Sequence, residues 1–315
     1  MSKSTARADF VLPFHLEGAA VSGRLVRLGP SADAILSRHD YPAPIAALLG
    51  ETLALSVGLA GALKYDGVFT LQTKGNGPVS FLVADVTSEG NLRGYAQFDP
   101  ERVPADAPVR PEGQSVPTWL GAGHLAFTVD QGSNTERYQG IVALEGSTLA
   151  ECAHHYFRQS EQVETAIKVA VDRAPGGWRA AALFLQRLPA AGGAKEAADD
   201  RWLEALSLMA TVTGAELADF ALAPNDLLFR LFHEKGVRVY PAKEKELHDR
   251  CRCSEERVVT MLRSFPRAEI ESLKKDGHVE VVCEFCRREY RFDESALDNV
   301  YAPRPRRDGR AESGR

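Results

Sequence analysis

The feature that most constrains this chain is a cluster of four cysteines near its C-terminus. Cys251 and Cys253 form a C-x-C pair, 29 residues follow, and Cys283 and Cys286 form a C-x-x-C pair. Each pair can place two thiolates on one small cation, and the segment between the pairs can fold back to join them. Four soft sulfur ligands suit the tetrahedral coordination of structural zinc. The same pairs can instead close as two short-range disulfides, so the spacing predicts a zinc site, a redox site, or one site that alternates between them.

Length and composition indicate a soluble globular protein. The 315 residues allow about two domains, and 44% hydrophobic with 26% charged residues is ordinary for a chain with a sizeable core. The net charge of -5 provides no global basic field to recruit nucleic acid. The first nine residues lack the apolar region of a signal peptide. Clustered cysteines without an export signal favour metal binding or redox sensing, so we expect a cytoplasmic protein.

One segment is apolar enough to be tested as a membrane span. Residues 43–63 are mostly apolar, but Glu51 lies near the middle of the segment. A carboxylate at that depth is costly in lipid. We therefore predict a buried core helix and no membrane partner.

The first 188 residues show the pattern of an α+β domain. Alternating apolar residues predict strands over residues 10–28, a meander over 65–99, and further strands up to 188. Gly75 and Gly77 lie in a hairpin turn rather than a phosphate loop, since no Lys-Ser/Thr follows and no helix begins there. These patterns predict an N-terminal mixed α/β domain, residues 1–188, with a large antiparallel-rich sheet.

The fifth cysteine lies in this domain. A helix predicted over residues 149–160 carries Cys152, His154 and His155, a combination compatible with a catalytic thiol and its base. A lone cysteine on the apolar face of a helix is more often packed in the core. We therefore favour packing, and we assign Cys152 no functional role.

Residues 189–240 are predicted to form a helical linker. The stretch 189–200 has the composition of a flexible connection. Short helices follow, one of them opened by the capping-box spacing of Thr213 and Glu216. A short strand over residues 237–240 then leads to the cysteine module.

The module spans residues 241–300, and we expect residues 301–315 to be a disordered tail. Helices are predicted over 254–263 and 267–275, and the strands 279–282 and 288–292 flank the C-x-x-C pair in a hairpin knuckle. So small a module has few apolar residues of its own. A structural zinc ion would supply of order ~10 kcal/mol or more of its folding free energy.

Three functional interpretations of the module compete. A purely structural zinc site is the commonest use of four cysteines. Nucleic-acid binding is disfavoured because residues 241–300 contain 12 Lys/Arg and 14 Asp/Glu. A zinc deaminase is also disfavoured, although His278 and Glu280 precede the C-x-x-C pair. The gap is too short, the proline is missing, and four cysteines leave no open position for water, so we predict that the protein is not an enzyme.

Several segments together resemble one known family, the 33 kDa chaperonins, which are redox-regulated heat-shock holdases of the bacterial cytosol. The cysteine pairs at this separation, together with the Tyr-Phe-x-x-Ser-Glu-Gln run upstream, are specific to that family. The matching segments extend along most of the chain: residues 77–85, 92–95, 138–142, 156–162, 228–233, 251–258, 282–286 and 290–293.

The resemblance implies a mechanism for the four cysteines. In the reduced form Cys251, Cys253, Cys283 and Cys286 would hold one Zn²⁺ per chain and keep the protein inactive. Peroxide or hypochlorite would then form disulfides within each pair, Cys251–Cys253 and Cys283–Cys286, and zinc would be lost. The linker would unfold with the module and expose apolar surface to unfolding client proteins.

The resemblance also implies a homodimer when the protein is oxidised, with substrate binding and dimerisation assigned to the N-terminal domain, residues 1–188. It further implies a holdase that uses no ATP, consistent with the absence of a nucleotide motif. The alternative from a different class is a zinc-stabilised binding adaptor, for protein or nucleic acid, that has no redox switch. The two hypotheses differ in whether oxidation changes client binding.

Overall fold

The computed structural model describes residues 9–109, 114–132, 138–189, 195–241 and 244–302. The chain divides into two compact units, Met1–Cys251 and Arg252–Arg315. The predicted linker boundaries at 188/189 and 240/241 stay predictions. Residues 303–315 of the predicted tail lie outside the described residues.

The first unit contains two six-stranded sheets. Sheet 1 has the order β10-β1-β2-β9-β8 with β11 also on β1, and sheet 2 has the order β12-β5-β4-β3-β6-β7. Every pairing in these sheets is antiparallel except that of β12 with β5. The strands are β1 (Asp9–Leu16), β2 (Val21–Leu28), β3 (Val68–Gly75), β4 (Val79–Thr87), β5 (Asn91–Phe98), β6 (Gly123–Asp130), β7 (Tyr138–Ala143), β8 (Thr165–Ala174), β9 (Gly177–Arg187), β10 (Val237–Val239), β11 (Lys245–Glu246) and β12 (His248–Asp249).

This arrangement confirms the predicted α+β class, with the strands divided between two sheets. The helices of the unit are α1 (Pro30–Leu36), α2 (Ala43–Ala60), α3 (Leu149–Tyr156), α4 (Lys195–Thr211), α5 (Gly214–Ala218) and α6 (Pro224–Phe232). Helix α4 begins before residue 201, where the sequence predicted its start. The capping box of Thr213 and Glu216 is present as predicted.

Helix α2 lies in the main core and packs against strands of both sheets. Among the described residues it is the one helix with the length and composition to cross a membrane, yet 89% of it is buried in the protein. Gly58 allows the close approach, because a Cβ atom there would lie 1.8 Å from the Phe184 ring. The prediction of a buried core helix is confirmed.

A second apolar cluster lies on the face of sheet 1 opposite helix α2, and the linker helices α4–α6 cover it. The rings of Phe14 on β1 and Phe232 on α6 stack with centroids 5.9 Å apart, and both side chains are fully buried. Arg27 Nη1 donates to the Leu222 carbonyl at 2.6 Å, and burial lowers the pKa of Arg27 to about 10. The linker helices therefore complete the core of the first unit. From these helices and the turn between α4 and α5 the cluster receives Trp202, Ala205, Met209, Val212, Leu217, Ala218, Leu227, Leu228 and Phe232.

The predicted helix over 149–160 is shorter in the structure. Helix α3 ends at Tyr156, a π-helical turn covers Phe157–Glu161, and Gln162 adopts a left-handed conformation with φ 53°. Strand β8 then begins at Thr165. Glu161 accepts hydrogen bonds from Tyr156 (2.7 Å) and Tyr138, which ties the end of this helix to β7.

The second unit is small. It contains α7 (Glu255–Leu262), α8 (Arg267–Ser272), the hairpin β13 (Val279–Val282) and β14 (Glu289–Phe292), and α9 (Glu294–Tyr301). Helix α8 stops before residue 275, because a turn with positive φ at Asp276 and Gly277 follows. Helix α9 was not predicted. Among the described residues of this unit, the buried apolar side chains form one small cluster: Leu262, Ile270, Val279, Phe292, Leu297 and Val300.

Candidate metal centre

The C-x-x-C pair lies in the turn of the β13–β14 hairpin. The Cys283 amide donates to the Arg288 carbonyl at 2.9 Å, and the Arg287 amide donates back to the Cys283 carbonyl at 2.8 Å. Arg287 closes the turn in a left-handed conformation with φ 59°. The predicted hairpin knuckle is thus present around this pair.

The C-x-C pair is held by the elements on either side of it. Cys251 comes two residues after β12, and the intervening Arg250 amide donates to the Leu92 carbonyl at 3.1 Å. Cys253 comes directly before Ser254, whose hydroxyl caps α7 by accepting from the Arg257 amide at 3.3 Å. Hydrogen bonds therefore hold the backbone on each side of the pair.

The four sulfur atoms all lie within 4.8 Å of one another. The sulfurs of Cys253 and Cys286 are 3.3 Å apart, and all four cysteines are reduced and of intermediate exposure. The structure thus brings together all four predicted ligands and leaves Cys152 elsewhere. Four converging thiolates with no oxygen ligand among them suit a soft, tetrahedral divalent cation.

An arginine on sheet 2 lies beside Cys251. Arg93 Nη1 lies 3.9 Å from the Cys251 sulfur, and Arg93 Nε donates to the Asp85 carboxylate at 2.7 Å. The Asp85 side chain is only 5% exposed, and it also accepts from the Thr70 hydroxyl at 2.7 Å. Arg93 is therefore held in place, with its positive charge beside a sulfur that must be a thiolate to bind a metal.

Sequence reasoning missed this chain of contacts. Asp85 and Arg93 both belong to segments that carry the family resemblance, but neither segment had an assigned role. Thr70, Asp85 and Arg93 are register partners on β3, β4 and β5. Such a row of side chains becomes visible only when the strand order and register are known.

A tyrosine and a second arginine lie near the sulfurs of the second unit. The Cys253 thiolate beside the Tyr290 hydroxyl raises the pKa of Tyr290. The Tyr290 hydroxyl, together with the Cys253 and Cys286 thiolates, raises the pKa of Arg288. Arg288 therefore remains a cation near the thiolates and favours their charged form.

Cys152 should be chemically inert in the folded protein. Its side chain is fully buried, and burial raises the pKa of the thiol to about 11. Since only the thiolate is alkylated, we expect iodoacetamide at pH 8 to modify Cys152 about 100-fold more slowly in the native protein than in urea. Peptide mass spectrometry of quenched time points measures both rates. Similar rates in the native protein and in urea would contradict this assignment.

Comparisons with known proteins identify the family and support the fold. The family model described as Hsp33 protein matches residues 9–293. A 33 kDa chaperonin of Caulobacter vibrioides is 42% identical over 292 residues, which cover 90% of this chain and 95% of the relative. A 33 kDa chaperonin of Ectopseudomonas mendocina is 37% identical over 297 residues, which cover 93% and 95%.

A solved structure shows the same fold. The crystal structure of a 33 kDa chaperonin (heat shock protein 33 homologue) from Thermotoga maritima superposes with a TM-score of 0.79 at 24% identity. The match covers 93% of this chain and 97% of that chain. The likeness thus includes both the two-sheet unit and the cysteine-containing unit.

Proposed function

Because the chain belongs to the Hsp33 family of 33 kDa chaperonins, we propose that it is a redox-regulated, ATP-independent holdase of the cytoplasm rather than an enzyme. The observation that carries the proposal is the convergence of the four cysteine sulfurs within 4.8 Å. This cluster comes directly after the segment in which the chain pairs with both sheets of the first unit.

In the resting, reduced state, Cys251, Cys253, Cys283 and Cys286 are the residues that would hold one zinc ion. When bound, zinc would supply of order ~10 kcal/mol or more of folding free energy to the unit that contains it. The small apolar cluster of the second unit supports this assignment, since six buried side chains form a limited core.

Oxidation would remove the ligands in pairs. Peroxide converts one thiolate of a pair to a sulfenic acid, and the second thiolate displaces hydroxide from it to form a disulfide. Each pair loses two electrons to one equivalent of peroxide. The expected products are the Cys251–Cys253 and Cys283–Cys286 disulfides. A disulfide sulfur is no longer a thiolate ligand, so the second unit would lose its metal and its fold.

The linker helices connect the unfolding of the second unit to client binding. Helices α4–α6 cover one apolar face of sheet 1 and contribute eight buried side chains to that cluster, and Val212 between α4 and α5 adds a ninth. Helix α6 leads through β10 and the following segment to Cys251. Once the second unit unfolds, these helices would detach and expose the face to unfolding client proteins. The oxidised protein would act as a homodimer, without nucleic-acid or membrane partners.

The test uses the full-length, reduced, zinc-loaded protein. Peroxide with mild heating should release about one zinc per chain, and the treated protein should suppress aggregation of a chemically denatured client. Cys152→Ser is the matched control and should respond like the wild type. A protein that oxidises and releases zinc but still fails to hold the client would disprove the chaperone function. That result would instead support the zinc-stabilised adaptor.

A further inference from the structure

One edge of each sheet in the first unit is covered by nearby residues of the chain. We call residues 237–241 and 244–250 the edge segment. Strand β10 pairs with residues 14–16 of β1, and β11 pairs with Phe10 and Val11 of the same strand. Strand β12 pairs with Asn91 and Leu92 of β5. Within the described residues, the edge segment thus occupies the free side of β1 and the beginning of the free side of β5.

Main-chain hydrogen bonds account for much of this contact. The amides of Tyr240 and Leu247 donate to the carbonyls of Pro13 (3.0 Å) and Asp9 (3.2 Å) on β1. The His248 amide donates to the Gly90 carbonyl at 3.0 Å. Gly90 is required at this contact, because a Cβ atom there would lie 2.2 Å from the Glu246 carbonyl oxygen. The site therefore accepts an extended backbone at close range.

The edge segment is held by side chains as well as by its backbone. Asp249 forms an ion pair with Arg38, Lys245 Nζ donates to the Thr87 carbonyl at 3.1 Å, and Tyr240 packs edge-on against His15.

Leu247 is 3% exposed and belongs to the main core cluster, and Val237 and Val239 pack partly against the linker cluster. Arg238 and Glu246, by contrast, point to solvent. Along β1, the occupant that fits is an extended segment with apolar residues at the positions of Val237 and Val239 and a solvent-facing residue at the position of Arg238.

The edge segment ends at Arg250, directly before Cys251. Oxidation of Cys251 would therefore act at the end of the segment and weaken its pairing with β1. An unpaired strand edge is a template for any extended chain, and main-chain pairing of this kind is little affected by sequence. This inference rests on the proposed function: we propose that oxidation frees the edge segment from β1. The exposed edge of β1 then captures extended segments of unfolding client proteins by strand addition. The edge segment in the resting protein would then be an internal competitor for the client site.

The first test locks the edge segment in place. His15 and Arg238 are register partners on β1 and β10, and both side chains lie at least partly in solvent. The pair His15→Cys and Arg238→Cys is bridged with dibromobimane in the zinc-loaded protein. The matched control is His124→Cys with Ala143→Cys, another cross-strand pair, on β6 and β7.

Both bridged proteins should release zinc on oxidation. Client holding by the β1–β10 bridged protein should be at least about tenfold weaker than that of the control. Equal client holding by the two bridged proteins would overturn the inference. If neither the control nor the unbridged wild type holds clients after zinc release, the proposed function itself fails.

The second test separates strand pairing from general apolar contact. A synthetic peptide of residues 236–250 is compared with the same peptide N-methylated at Tyr240, Leu247 and His248, the positions whose amides donate in the structure. The unmodified peptide should displace a client from the oxidised protein, at a concentration at least about tenfold lower than the methylated peptide requires. Equal competition by the two peptides, or no competition by either, would overturn capture at the strand edge.

Discussion

In reducing buffer without peroxide, the Cys283→Ser protein should contain almost no zinc and should lose the fold of residues 252–302. Serine remains protonated at neutral pH and is a poor zinc ligand, so the site would keep three thiolates. Zinc sites of this kind contribute about 10 kcal/mol or more to folding. The six buried side chains of the second unit are too few to offset that loss.

The measurements are zinc content by a chromogenic chelator and the exchange of backbone amides in the second unit. Cys152→Ser is again the matched control, since that thiol is buried away from the cluster. The variant also separates the two functional hypotheses. A redox-switched holdase should gain client binding without peroxide when Cys283 is replaced, whereas a zinc-stabilised adaptor should only become less stable. A Cys283→Ser protein that retains both its zinc and its fold would contradict the ligand assignment.

Phe232→Ala should loosen the linker helices while leaving the cysteine cluster intact. Phe232 is fully buried and stacks on Phe14 of sheet 1. Truncation of a buried phenylalanine to alanine typically costs about 3–5 kcal/mol, because a cavity remains beside the lost contacts. We therefore expect partial client binding in reducing buffer, together with full zinc content.

The chain offers a close control in the same helix. Phe229 lies three residues before Phe232 in α6 and is 61% exposed, so Phe229→Ala should change the free energy of unfolding by less than about 0.5 kcal/mol. Urea denaturation measures that difference, and client aggregation in reducing buffer measures the gain of function. If Phe232→Ala is destabilised but holds clients no better than Phe229→Ala, the face beneath the linker helices does not bind clients.

The cysteine cluster shows how much of the site local sequence can predict. Thiolate chemistry limits the metals that four cysteines can bind, and the short spacing within each pair limits how its two sulfurs can point. The hairpin knuckle and the cap of α7 by Ser254 also follow from nearby residues, and both appear in the structure. The sequence reasoning therefore named all four sulfurs that the structure brings together.

The surroundings of the cluster were not predictable in the same way. Arg93 contacts Cys251, which lies 158 positions further along the chain. The position of the Arg93 side chain is set by Asp85, and that contact depends on the register of β4 and β5. The two-residue strands β11 and β12 have too few residues to show an alternating pattern. Both features come from strand pairing between distant parts of the chain.

Residue types within short windows were enough to predict the α+β class, the buried helix α2 and the convergence of the four cysteines. Contacts between distant parts of the chain, by contrast, divide the strands between two sheets, place the linker helices on the core of the first unit, and bring the edge segment onto one edge of each sheet. The physical reason is that strand order and register arise from contacts between distant residues, whereas periodicity and metal-ligand spacing are local.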